Sequence, residues 1–181
     1  MVEFLASQRI ERCLLTCAAG GIRPGLAPGD FVLADRILLG HQPDSWSQAA
    51  ARMGSGSEIA LSGSHLPFIR FANSQTDKSR LRSGTHAQMT GPSYETPAEV
   101  RMLSRLGVWT VGMSTGVELV RARELGLVTG AIAVVANPAC GLANATISHA
   151  NVLNTMRNAA RKLERLIHDL VLETNSFQVD Q

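Results

Sequence analysis

The chain has 181 residues, enough for a single domain with its own core, read here as one unit over 1–181. Hydrophobic residues make up 45% and charged residues 18%, and the formal net charge of +2 comes without any Lys/Arg run, which gives no basis for a nucleic-acid partner. No apolar run approaches the roughly 18 residues that span a bilayer, and Met1-Val2-Glu3-Phe4-Leu5 lacks the basic and apolar regions of a signal peptide.

Residues 2–9 read as the end of a helix. Arg12 to Thr16 predicts a short buried strand running into a turn, Cys17-Ala18-Ala19-Gly20-Gly21. Phe31 to Leu39 predicts a second strand. From His41 to about Ser83 the pattern weakens into a Ser-, Gly- and Gln-rich stretch, expected to be largely irregular with some short helix. Thr85 to Thr90 predicts a strand leading into Gly91-Pro92. Thr96 is the expected N-cap of the next helix, with Pro97 at its first position and Glu99 at the capping-box offset. That helix carries Val100, Met102, Leu103 and Leu106 and stops at Gly107.

Val108 to Met113 predicts another strand, and Thr115 or Gly116 opens a helix that ends near Gly126. Val128 to Ala136 is nearly continuous apolar sequence, as in a strand buried on both faces. Ser148 caps a long final helix carrying Val152, Leu153, Met156, Ala160, Leu163, Leu166 and Ile167, whose residues from about Asn175 are polar and expected to fray. Strand and helix alternate, so the class is α/β with a mostly parallel or mixed sheet.

The cysteines are Cys13, Cys17 and Cys140. Their odd number and spacing match no zinc pattern, and reduced thiols in a cytoplasmic protein are the simplest reading. Cys13 and Cys17 are expected to fill the core.

Ligands in such sheets collect where strands end. Four segments carry suitable groups there: Cys17 to Gly21, Gly91 to Thr96, Gly112 to Thr115 and Ala136 to Gly141. Ser114 and Thr115 precede a helix, where hydroxyls and the helix amino end favour phosphate; as an isolated pair they could equally be an N-cap. Glu95 follows an aromatic residue in a loop. It is either a solvated or capping carboxylate or a buried acceptor for the paired N–H groups of a guanine-like edge. Asn137 is either a turn residue before Pro138 or a donor and acceptor for purine O6 and N7. His149 is either a helix-start residue or a partner for a sugar hydroxyl.

Taken together, Gly-Pro-Ser-Tyr-Glu-Thr-Pro-Ala-Glu-Val-Arg-Met-Leu from Gly91, Val111-Gly112-Met113-Ser114-Thr115 and Asn137 closely resemble the trimeric class of purine nucleoside phosphorylases. The resemblance extends back through Ala18-Ala19-Gly20-Gly21-Ile22-Arg23-Pro24 and Pro28-Gly29-Asp30, and forward to Ser148-His149. It implies a mixed central sheet flanked by helices, in a cytoplasmic trimer of purine salvage. The implied reaction is phosphorolysis of 6-oxopurine nucleosides such as inosine and guanosine. Inorganic phosphate is then a co-substrate, and no metal or organic cofactor is needed. In that scheme Glu95 binds the N1 side of the purine, and Asn137 binds O6 and N7 and stabilises the departing base. Tyr94 lines the base and ribose pocket, Met113 packs under the ribose, and His149 faces the 5′-hydroxyl. Ser114 and the backbone N–H of Ala18 hold phosphate.

The chain also departs from the family pattern. The family's first strands, a Gly-Ser-Gly phosphate loop and an Arg-x-His pair have no counterpart here, which implies an N-terminally short fold with a depleted phosphate site, impaired turnover and an exposed sheet edge. Gly54-Ser55-Gly56-Ser57 imitates the loop in letters but reads as linker. Asp35-Arg36-Ile37-Leu38 stands where Asp-His-Ile-Asn is usual, Cys17 where Asn is usual, and Gly116-Val117-Glu118 where Val-Pro-Glu is usual. Phe68 and Phe71 are candidates for the Phe that reaches a neighbouring subunit's pocket. Two alternatives stay open: a non-catalytic purine-binding relative or assembly partner of a complete phosphorylase, and a methylthioadenosine-type phosphorylase.

Overall fold

The computed structural model describes residues 1–40, 59–60, 68, 71, 81–142 and 148–176. Apolar runs bounded by Gly and Pro make the strands β1 (Arg12–Gly21), β2 (Phe31–Leu39), β3 (Ile59–Ala60), β4 (Arg82–Gln88), β5 (Val108–Gly112) and β6 (Val128–Pro138). Between and around them lie helices α1 (Val2–Ser7), α2 (Pro97–Arg105), α3 (Gly116–Glu124) and α4 (His149–Ser176). The predicted linker at Gly54 to Ser57 and the tail after Ser176 lie outside the described residues, while Asn175 and Ser176, expected to fray, are helical.

The sheet order is β3-β2-β4-β5-β1-β6, and β2 also pairs with β6, so five strands close on themselves. The pairs β1–β6, β2–β4 and β4–β5 are parallel, while β1–β5, β2–β6 and β2–β3 are antiparallel, giving the mixed sheet expected. The β1–β5 link involves only Gly20 and Gly21 among the described residues, and the stretch of β1 before them pairs with β6.

The first strand corrects the sequence-based expectation. Residues 17–21 are not a turn after a short strand; they continue β1. The cause is pairing: β6 matches β1 residue for residue from Arg12 to Ala19, and a bulge then re-aims Gly20 and Gly21 onto β5. A β-carbon on Gly21 would come 2.9 Å from Val135, so its bare backbone permits the close approach.

Among the described residues, helices α2, α3 and α4 pack on this sheet and α1 packs on α3. The capping box predicted at Thr96 forms: Thr96 N donates to Glu99 Oε2 at 2.7 Å and Glu99 N donates to Thr96 Oγ1 at 3.3 Å. Helix α2 then buries Val100 and Leu103 against Leu38, Ala87 and Val111, whereas Met102 turns outward. Helix α4 opens on the predicted Ser148 cap and buries Ala159, Leu166 and Leu170 against Phe31, Leu33, Ile132 and Val134. Each such leucine contributes roughly 1.5–3 kcal/mol by burial. Leu153 and Ala160, expected on the apolar face of α4, are exposed. Phe68 and Phe71 are 2% and 0% exposed inside the same cluster, so they are core residues and not arms reaching a neighbour.

Candidate functional site

The ends of β1, β5 and β6 and the turn before α2 surround an open cavity of about 250 Å³. Six of the seven residues singled out in the sequence line it: Ala18, Tyr94, Glu95, Met113, Ser114 and Asn137. The seventh, His149, is exposed at the start of α4 and is not part of the lining; Val152, one turn further along, takes that place. Cys140 also lines the cavity. It lies in the loop after β6 already picked out, whereas Val152 carried no signal beyond its place on an apolar helix face.

Glu95 sits immediately before the Thr96 cap, so the start of α2 fixes its backbone. Its side chain is 9% exposed, and Oε1 is buried without a hydrogen-bond partner among the described residues. Capping is done by Glu99, not by Glu95. A solvated carboxylate is likewise ruled out by burial, which holds the Glu95 carboxyl above the ordinary 4.5, with the charge of Glu99 adding to the effect. Tyr94 beside it is 46% exposed at the cavity.

Asn137 is half-buried on β6, opposite Gly20 just past the bulge. Its Nδ2 donates to Pro138 O at 2.7 Å. That uses one of its two N–H groups, and the second N–H and Oδ1 retain the capacity to bond a ligand.

Ser114 is exposed, with its Oγ 3.4 Å from Thr115 Oγ1. Thr115 has φ +84°, a left-handed backbone that strains a β-branched residue by on the order of 1–3 kcal/mol. Two backbone donors of this helix amino end are already engaged. Thr115 N donates to Glu118 Oε2 at 2.7 Å, and Val117 N donates to Gln88 Oε1 at 2.8 Å. Of the two hydroxyl residues in this turn, Ser114 lines the cavity and Thr115 does not. Ala18 lines the cavity from within β1 rather than from a loop, and Gly112 lets the strands approach: a β-carbon there would lie 3.3 Å from Ala18 O.

Beneath Gly112 lies His86, a residue the sequence did not mark. It is 1% exposed, its Nδ1 is 3.0 Å from Thr110 Oγ1, and Nε2 is buried without a partner among the described residues. Burial pushes its pKa down to about 4, the Ser114 backbone opposing, so the ring is neutral near pH 7. Cys17 is buried as expected, and burial pushes its thiol up to about 11 despite a bond to Thr115, so it is not a thiolate nucleophile. Among the described residues no three His, Cys, Asp or Glu side chains cluster to hold a metal ion, and no helix is long and apolar enough to cross a membrane.

A strained hydroxyl turn, a buried acceptor and a strand-end asparagine around one cavity define a small-molecule site of the α/β type. The model of the phosphorylase superfamily matches residues 1–172, and the chain belongs to that superfamily. It is 36% identical over 159 residues to the purine nucleoside phosphorylase of Mycobacterium tuberculosis, covering 87% of this chain and 56% of that protein. It is 33% identical over 168 residues to the probable 6-oxopurine nucleoside phosphorylase of Moorella thermoacetica, covering 88% and 63%. The chain thus spans about three-fifths of the length of these relatives. Its fold matches Schistosoma mansoni purine nucleoside phosphorylase in complex with inosine at TM-score 0.76 and 24% identity, over 94% of this chain and 64% of that one. It also matches the methylthioadenosine phosphorylase of the same organism in complex with adenine at TM-score 0.77 and 21% identity, over 99% and 71%.

Proposed function

We propose that this chain acts on 6-oxopurine nucleosides, inosine and guanosine, by phosphorolysis to free purine and ribose 1-phosphate. The observation that carries this is Glu95 Oε1, a buried acceptor without a partner among the described residues, set in the cavity beside Tyr94. A carboxylate there accepts the N1–H of hypoxanthine, and both N1–H and the 2-amino group of guanine. Adenine presents a lone pair at N1 and meets repulsion instead. The free N–H and Oδ1 of Asn137 serve O6 and N7 and stabilise charge on the leaving purine. Met113 lies under the ribose, and His149, exposed at the start of α4 outside the cavity lining, is assigned to the 5′-hydroxyl by the family resemblance alone. Phosphate, held by Ser114 and Ala18, attacks the anomeric carbon opposite the base. The bond to N9 breaks with its electron pair passing to the purine, which takes up a proton. Positioning and charge stabilisation supply the catalysis, without a covalent enzyme intermediate.

On the same reading the protein works in the cytoplasm as a homo-oligomer, a trimer. Purine binding without turnover is the alternative favoured by one observation: Glu118 and Gln88 occupy two backbone donors beside Ser114. Calorimetry of hypoxanthine, guanine and adenine with the wild-type chain and Glu95→Ala tests base recognition. A charge-assisted hydrogen bond of about 1.5–3 kcal/mol predicts a loss of about 10- to 100-fold for the 6-oxopurines. Equal binding by both proteins, or a preference for adenine, removes Glu95 from this role. An inosine phosphorolysis assay then separates turnover from binding alone.

A further inference from the structure

On the phosphorolysis reading, we infer that Gln88 is a positioning residue for the phosphate half of the site, acting through the turn Gly112 to Val117. Ser114 stands in that turn beside a residue with φ +84°. Such backbone persists only where its surroundings over-determine it. Glu118 holds the turn from within α3 by accepting from Thr115 N. The second hold comes from a different element. Gln88, the last residue of β4, accepts from Val117 N at 2.8 Å across 29 positions of sequence.

First-turn N–H groups of a helix have no intrahelical acceptor, so this bond satisfies a donor that would otherwise face solvent or ligand. The neutral carboxamide does so without placing another negative charge beside an incoming anion. Gly116 makes the reach possible, since a β-carbon there would lie 2.9 Å from Gln88 Oε1 and 2.9 Å from Leu39 Cδ2. The other flank of the turn is supported from the same strand. His86 lies two residues before Gln88, on the same face of β4, and packs beneath Gly112 while bonding Thr110. Met89 N donates to Gly112 O at 2.8 Å immediately beyond Gln88. One strand end therefore holds both sides of Ser114.

The test uses calorimetric titration of the full chain with inorganic phosphate and, separately, with hypoxanthine. Four proteins are compared: wild type, Gln88→Leu, Ser114→Ala and the double variant. Ser114→Ala removes the hydroxyl that Gln88 is argued to position, so a residue acting through that turn adds no further loss once the hydroxyl is gone. Each single variant is expected to weaken phosphate binding about tenfold, the double variant no further, and hypoxanthine affinity to stay within about twofold. Additive losses, unchanged phosphate affinity or an equal loss for hypoxanthine overturn the role of Gln88. A wild-type chain that binds hypoxanthine but not phosphate overturns it while base recognition stands; binding neither overturns both.

Discussion

Gly91 packs directly against Met113: a β-carbon on Gly91 would come 2.7 Å from the Met113 sulfur. The turn that delivers Tyr94 and Glu95 is thereby seated on the residue that follows β5 and lines the same cavity. Two segments separated by a whole helix meet here only because one of them lacks a side chain.

Gly91→Ala tests that seat. Gly91 has φ +62°, a backbone strained for alanine, and the added methyl overlaps Met113. A destabilisation of about 1–3 kcal/mol is expected, with a larger proportional loss of hypoxanthine binding than of phosphate binding. Thermal unfolding and calorimetry measure both; unchanged hypoxanthine affinity would show that the turn does not set Glu95.

Glu95→Gln tests the cost of a buried acceptor. The folded-state pKa of Glu95 is raised by burial above 4.5, so folding favours the neutral acid. Its ionised form therefore costs stability at neutral pH, and this cost vanishes below the unfolded value. The variant should melt higher than wild type near pH 7, and the gap should close as pH falls toward 4.5. Melting curves at several pH values check this, and a gap that does not change with pH refutes it.

His86 gives the opposite window. Its folded pKa is depressed from 6.5 to about 4, so the unfolded chain takes up a proton first as pH falls. Stability should drop by on the order of 3 kcal/mol between those values through this residue alone. His86→Gln should flatten the stability profile of wild type over that range. Parallel profiles would mean that the ring is accessible to protons in the folded state.

Thr96→Ala removes the side-chain half of the α2 capping box and should cost about 1 kcal/mol in denaturant unfolding. Because Glu95 adjoins the cap, hypoxanthine affinity should fall as well. A loss of stability with unchanged affinity would separate the helix start from the base site.

Much of the fold was legible along the chain. Phe31–Leu39 is a strand with the bounds its apolar run predicts, and Thr96, Pro97 and Glu99 build the helix start their types dictate. These are local effects, decided by side-chain period and by hydrogen bonds between near neighbours. Glu95, Asn137 and Ser114 were legible as a set because their residue types and spacing are specific, and all three line one cavity.

The rest depended on partners distant in sequence. Whether Cys17 to Gly21 would be turn or strand was decided by β6, more than a hundred residues later. Phe68 and Phe71 became core because Phe31, Ile132 and α4 enclose them. Gln88 reached the start of α3, and His86 was buried beneath Gly112, because β4 and β5 lie side by side. Local chemistry therefore named the groups at this site. Only the closing of five strands on one another decided which were buried, which hydrogen bonds they had already made, and which were left for a ligand. Burial and hydrogen-bond occupancy depend on what surrounds a residue in space, and a linear order of residues does not contain that.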